Sequence, residues 1–253
     1  MIKILIKNYS YQNKIPVLRE INFSILPTQI TTFIGPSGIG KSTLLRLLTG
    51  IETGAEGFIT DENQTYCLKT SWHSHQNIFS LVTQTPQLFP WKNILENMTL
   101  AMDSFKNKLS KNEKKALAMH LLCLVQMENH AQKYPYEISL GMAQRVSFAR
   151  ALIHESKVLL LDEPFASLDA HTRFLLQKWL VDKIQKTQKY AILVTHDVRE
   201  ALFLSQKIHV LGHTPAHIVK SYCQKESPSW HSKKTEEEII SLLDQNKLNE
   251  KFF

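Results

Sequence analysis

The sequence predicts an α/β fold built on a mainly parallel sheet flanked by helices, and three observations carry that reading. Short apolar runs at 30–34, 158–161 and 191–195 have the length and composition of buried strands. Helical patterns at 41–49, 111–127, 142–153 and 171–186 alternate with them, and such alternation favours parallel pairing. Between the first of these strands and the first helix lies Gly35-Pro36-Ser37-Gly38-Ile39-Gly40-Lys41-Ser42, a glycine loop in strand–loop–helix context.

Taken in order, residues 1–34 read as short strands joined by turns, and Pro27 ends the run 17–25 before the strand at 30–34. The helix over 41–49 has leucines around most of its circumference, so it is expected to be buried. Gly50, Gly54 and Gly57 punctuate the next stretch, and the polar sequence to about residue 78 reads as small strands and loops. From about 92 to 155 the character is helical, with a helix over 142–153 entered after Ser139-Leu140-Gly141. The strand at 158–161 ends in an acidic turn, and the helix at 171–186 and the strand at 191–195 follow. Glu236-Glu237-Glu238 before Ile239-Ile240 reads as a short terminal helix of no obvious chemistry. There is no internal repeat or long linker.

At 253 residues the chain is long enough for one large domain or a core plus a subdomain. Its apolar runs fall far short of the roughly 20 residues that span a bilayer. Residues 1–7 alternate like a strand and lack a signal-peptide layout, so a cytoplasmic chain is expected. Cys67, Cys123 and Cys223 are odd in number and far apart, which predicts reduced structural thiols and no zinc site. The net charge of +7 fits nucleic acid, an anionic membrane surface or no partner. Lysines such as Lys106, Lys108, Lys111, Lys114 and Lys115 are scattered and are expected to solvate a helical surface. His73, His75, His209, His213 and His217 match no closed metal-site spacing and are expected at the surface.

The glycine loop carries the strongest chemical signal. Gly35, Gly38 and Gly40 permit backbone conformations closed to other residues, so successive N–H groups can turn on an anion at the positive end of the next helix. Lys41 is expected to reach the β- and γ-phosphates, and the Ser42 hydroxyl to complete a Mg²⁺ shell. The loop, with Pro36, Ser37, Ile39 and Thr43, is therefore the candidate segment for binding a nucleoside triphosphate. Asp162 and Glu163 end an apolar strand, where parallel sheets place ligand chemistry. Asp162 is expected to help hold Mg²⁺ through water, and Glu163 to polarise an attacking water as a general base.

Further motifs extend the pattern. Gln84 lies in Val82-Thr83-Gln84, Ile138-Ser139-Leu140-Gly141-Met142-Ala143-Gln144-Arg145 opens a helix, and Ser167-Leu168-Asp169 and Thr195-His196-Asp197 follow strands. In this order the motifs resemble the nucleotide-binding subunit of an ATP-binding-cassette (ABC) transporter, from about residue 2 to about 220. The resemblance implies a P-loop NTPase core with an antiparallel β subdomain and an inserted helical subdomain. Residues 1–84 and 156–220 would form the core with the β subdomain, 85–155 the helical subdomain, and 221–253 a tail. It makes Gln84 the Q-loop residue, joining the Mg²⁺ or water shell, Asp169 the D-loop residue and His196 the switch histidine that positions the γ-phosphate. Ser139, Leu140, Gly141, Met142 and Gln144 would form the signature, acting on nucleotide held by an opposite subunit. Tyr11 falls where an aromatic residue stacks on adenine, and Tyr9 lies two residues away on the same strand face.

The sequence departs from the family at Leu140, where a glycine is usual. If that position needs a positive φ or close backbone approach, leucine costs on the order of 1–2 kcal/mol; if it only packs, the leucine is harmless. Thr85-Pro86-Gln87-Leu88-Phe89-Pro90-Trp91, then Ile94-Leu95-Glu96-Asn97, resembles a segment of the nitrate/sulfonate/taurine importer branch, which includes importers of thiamine's pyrimidine precursors. The resemblance implies an ATP-hydrolysing homodimer on two membrane permease subunits, served indirectly by a solute-binding protein. It would sit at the cytoplasmic face of the inner membrane, with no nucleic acid expected. The alternatives are a soluble ABC ATPase acting on ribosomes or nucleic acid, and a weakly hydrolysing regulatory subunit.

Overall fold

The computed structural model describes residues 1–12, 15–62, 64–69, 78–103, 109–153, 156–226 and 230–250, with side chains through 246. His73, His75, Lys106 and Lys108 lie outside the described residues. One sheet is antiparallel, in the order β2-β1-β4-β5, from β1 (Ile2–Tyr11), β2 (Ile15–Ile25), β4 (Glu56–Asp61) and β5 (Gln64–Cys67). The other runs β10-β9-β3-β8-β7-β6, from β3 (Ile30–Ile34), β6 (Phe79–Val82), β7 (Val158–Asp162), β8 (Tyr190–Thr195), β9 (Lys207–Gly212) and β10 (His217–Cys223). Its pairs are parallel except β9 with β10.

Burial on both faces of the second sheet explains its uninterrupted apolar strands. Along β7, Val158 and Leu160 pack towards the antiparallel sheet, while Leu159 and Leu161 pack into the helical side. Ile192 and Val194 against Ala191 and Leu193 repeat this period of two in β8. Helix α1 (Lys41–Thr49) fills the space between the sheets with Leu44, Leu45, Leu47 and Leu48, all fully buried.

Between β6 and β7 the chain forms α2 (Ile94–Leu100), α3 (Lys111–Leu124) and α4 (Leu140–Ala151). Asn93 and Ser110 start the first two through capping boxes with Glu96 and Glu113. Helices α5 (Ala170–Thr187), α6 (Val198–Leu204) and α7 (Lys233–Glu250) complete the fold. The terminal helix is thus eighteen residues long rather than short, because its apolar stripe Ile239–Leu243 packs on α6 and β9. The cysteines are free and spaced along the chain, but Cys67 and Cys123 are exposed, not packed in the interior.

Candidate nucleotide site

Parallel register brings the site together. Ile34 lies beside Thr195, Val194 beside Asp162, and Leu161 beside Val82. The carboxyl ends of β3, β8, β7 and β6 therefore share one edge, where open α/β sheets bind ligands. Just past those ends come the glycine loop, His196, Glu163 and Gln84. Four segments distant in sequence meet in a cleft of about 350 Å³. Ser37, Gly38, Gly40 and the first turn of α1, Lys41 to Thr43, form one wall; Gln84, Glu163 and His196 form the other.

The loop requires its glycines for different reasons. Gly40, the residue that caps α1, has φ +110°, and a Cβ there would fall 3.0 Å from Leu18 Cδ2 and 3.1 Å from Val17 Cγ1. Gly35 needs close approach, since a Cβ would lie 2.9 Å from the Leu211 carbonyl oxygen. The first-turn N–H groups of α1 have no partner within the helix and open on the cleft, an anion cradle. Buried Lys41 donates from Nζ to the carbonyls of Gly35 at 2.8 Å and Pro36 at 2.7 Å. Those carbonyls hold the ammonium at the loop, within the cleft wall. Ile39 instead packs into the core beneath the loop.

Across the cleft, Glu163 has φ +47°, a conformation side chains rarely adopt, and its N–H donates to Val194 O at 2.9 Å. One carboxylate oxygen, Oε2, receives Gln84 Nε2 at 3.4 Å and lies 3.2 Å from His196 Nδ1. Asp162, buried next door, has its carboxyl pushed above the usual carboxylate range. Burial is the main cause and the Glu163 charge adds to it, while the Ser42 hydrogen bond, Lys41 and Arg46 oppose it. Ser42 and Asp162 thus form an oxygen-only pair beside the cradle, a donor set that fits Mg²⁺ completed by phosphate and water. Among the described residues no cluster of three His, Cys, Asp or Glu could close a site without them.

The two tyrosines separate. Tyr9 is buried and donates to Glu52 at 3.1 Å, and burial together with Glu52 pushes its hydroxyl up to about 12. Tyr11 stands edge-on to Tyr9 at 5.3 Å, with its hydroxyl 3.0 Å from Thr43 Oγ1. Of the two, it is Tyr11 that bonds to a residue of the cleft, Thr43.

None of the residues expected to form the signature lines this cleft, although Gln144 touches its wall. The helix begins at Leu140 rather than Met142, because Ser139 caps it: its Oγ accepts the Met142 N–H at 3.3 Å. Leu140 is the first helical residue, lacks a positive φ, and is 63% exposed. The positive φ considered for this position is absent, so leucine carries no backbone strain there. Gly141 is the tight position, where a Cβ would meet Ser167 O at 3.0 Å. Gln144, buried, donates to Glu163 O at 3.4 Å and accepts from Ser167 Oγ at 2.7 Å. Half-buried Met142 packs on the helical core. Asp169 caps α5, accepting the Thr172 N–H at 2.9 Å, and that bond holds its carboxyl below the usual range.

Two residues gain a place the sequence did not give them. Ser167 ties the start of α4 to the turn after Glu163 through Gln144. Fully buried Asn97 accepts the Phe89 N–H at 2.8 Å and donates to Phe89 O and Lys92 O, fixing the turn that presents Phe89 and Trp91. Trp91 is 71% exposed and 5.5 Å from the Phe89 ring. The only available signal was an amide inside an apolar helix run. His209, expected at the surface, is buried in β9, stacked on Phe33 at 5.0 Å and 2.6 Å from Ser221 Oγ. A strand buried on both faces leaves it no route to water, and burial pushes its pKa down to about 3.

An anion cradle facing an oriented carboxylate across one cleft is the equipment of a nucleoside triphosphatase. The chain belongs to the ABC transporter family, whose model matches residues 18–166, and with it to the ATP-binding ATPases. It is 37% identical over 195 residues to an aliphatic sulfonates import ATP-binding protein of Rhodococcus jostii, covering 77% of this chain and 73% of that protein. A nitrate import ATP-binding protein of Synechococcus elongatus is 39% identical over 199 residues, covering 79% of this chain but 29% of its own length. A bicarbonate transport ATP-binding protein of Synechocystis is 37% identical over 242 residues, covering 91% of this chain and 35% of that one. The chain thus spans about a third of the latter two. The dimeric structure of a post-hydrolysis state of an ATP-binding cassette bound to ADP and Pi superposes with a TM-score of 0.79 at 26% identity, covering 88% of this chain and 99% of that one. No helix among the described residues is long and apolar enough to cross a membrane.

Proposed function

We propose that this chain is the ATP-hydrolysing subunit of an importer for a small solute of the nitrate, sulfonate or taurine type, or a pyrimidine precursor of thiamine. Two copies would sandwich two ATP molecules head to tail at the cytoplasmic face of the membrane. Two permease subunits would dock at Phe89 and Trp91, and a solute-binding protein outside would supply cargo. The observation that carries this reading is the distribution of the motifs: the glycine loop, Gln84, Glu163 and His196 line one cleft, whereas Ser139 and Leu140 are exposed and do not line it. A second copy is the simplest source of the missing wall.

In this reading the α1 N–H groups and Lys41 hold the triphosphate, and Tyr11 stacks on adenine. Ser42, Asp162 and the Gln84 side-chain carbonyl would hold Mg²⁺, which supplies charge neutralisation to the phosphates. Glu163 takes the proton of the attacking water. Gln84 and His196 both approach Oε2, which fixes the carboxylate and leaves Oε1 for the water. His196 then donates to the γ-phosphate. Residues 85–155 would move as a helical subdomain against a core of 1–84 and 156–220, carrying closure from the Q-loop to the permease.

The test is uptake of labelled nitrate, taurine, an alkanesulfonate and a pyrimidine thiamine precursor in cells lacking this gene. Loss of one activity, restored by the wild-type chain and not by Glu163→Gln, supports the reading. Unchanged uptake of all of them overturns the importer assignment as stated.

A further inference from the structure

The segment after β10 holds the helix that follows the switch histidine. His196 is itself largely exposed, so its position depends on the backbone of the Asp197 turn and α6. Asp197 caps α6, accepting the N–H groups of Arg199 at 2.9 Å and Glu200 at 3.1 Å. A helix of two turns is marginal without outside contacts, and the tail supplies them at both ends. Near its start, Arg199 Nε donates to Glu236 Oε1 at 2.7 Å. Near its end, buried Trp230 donates from Nε1 to Leu202 O at 3.0 Å, one of the last-turn carbonyls that a helix leaves unpaired. Ile239 and Leu243 of α7 pack with Val198, Ala201 and Leu202 between these ties.

The same segment reaches the glycine loop from behind. Asn246 lies so close to Gly212, at the end of β9, that a Cβ there would fall 2.5 Å from its Nδ2. The adjacent Leu211 carbonyl is the group that excludes a side chain from Gly35. One stretch of chain therefore abuts the supports of both cleft walls, and it lies beyond the residues 18–166 matched by the family model.

We propose that residues 230–246 form a positioning strap for the hydrolytic site, with Trp230 as the positioning residue that fixes α6 and, through it, His196 against Glu163. This rests on the reading of His196 as the γ-phosphate donor. Trp230→Phe keeps an aromatic ring in the pocket and removes only the donor. In the full chain it is expected to lower kcat about fivefold while KM for ATP stays within about twofold, since binding precedes the step that uses His196. Glu236→Gln, which keeps the size of a half-buried side chain and removes only its charge, is expected to lower kcat about twofold in the same manner. Neither substitution should lower the residual turnover of His196→Ala any further, because residues acting through one another are not additive.

Equal losses on both backgrounds would assign Trp230 a general structural role and overturn the strap. Unchanged kcat in both variants, with His196→Ala crippled, would overturn it while leaving the histidine's role intact. Full activity of His196→Ala would instead remove the reading beneath it. Should Trp230→Phe melt below the assay temperature, Glu236→Gln decides alone by the same criteria.

Discussion

The phosphate side and the signature side of this chain are built differently. On the phosphate side, four strand ends deliver the glycine loop, Gln84, Glu163 and His196 to one cleft, and the groups bond to one another. On the signature side, Ser139 and Leu140 begin α4 in the open, while Gln144 reaches back to the Glu163 carbonyl and Gly141 packs closely on Ser167. The difference teaches that parallel register alone can gather four distant segments into one cleft, while the start of α4 is left exposed. Gln144 links the two halves, donating to the Glu163 carbonyl and accepting from Ser167.

The phosphate side should be the fragile one. Lys41→Ala removes the ammonium bonded to the Gly35 and Pro36 carbonyls and is expected to weaken ATP binding about a hundredfold or more, as read by calorimetry. Asp162→Asn should abolish Mg²⁺-dependent hydrolysis and yet raise the melting temperature of the nucleotide-free chain. A carboxyl whose folded pKa is raised stabilises most below its unfolded pKa, and that contribution is lost as pH rises through the folded value. The asparagine mimics the protonated form at neutral pH, and each kcal/mol relieved is worth about 2–4 °C.

Away from both halves, His209 supplies the chain's clearest acid sensitivity. Its pKa falls from 6.5 to about 3, so its contribution is intact above about pH 6.5 and is lost as pH falls towards 3. In that window chemical denaturation should show a loss of about 1.4 kcal/mol per pH unit that His209→Gln removes. The smallest effect belongs to the signature side. Leu140→Gly should change steady-state ATPase less than about twofold and cost about 0.5–1 kcal/mol of stability, the price of glycine in a helix. A large gain in turnover would instead make Leu140 a brake and break the contrast between the halves.

Much of this contrast was legible in the sequence. Gly35–Ser42 and Asp162-Glu163 announced themselves because their chemistry depends on residues adjacent along the chain, and the buried strands beside them are uninterrupted runs. The helix over 142–153 in fact begins two residues earlier, at Leu140, because Ser139 caps it through the Met142 N–H. His209 and Trp230 were illegible for a deeper reason. A histidine in a strand and a tryptophan in a polar tail acquire their roles from Phe33, Ser221 and Leu202, which are far away in sequence. The different settings of Tyr9 and Tyr11 likewise depend on Glu52 and Thr43.

The central claim is that the cleft is half of a site completed by a second copy. Sedimentation velocity of Glu163→Gln with and without saturating ATP tests it most directly. The account predicts a monomer without nucleotide and a stable dimer with ATP, dissolved again when Ser139 is replaced by a bulky acidic residue. A Glu163→Gln chain that binds ATP tightly and stays monomeric throughout would contradict it.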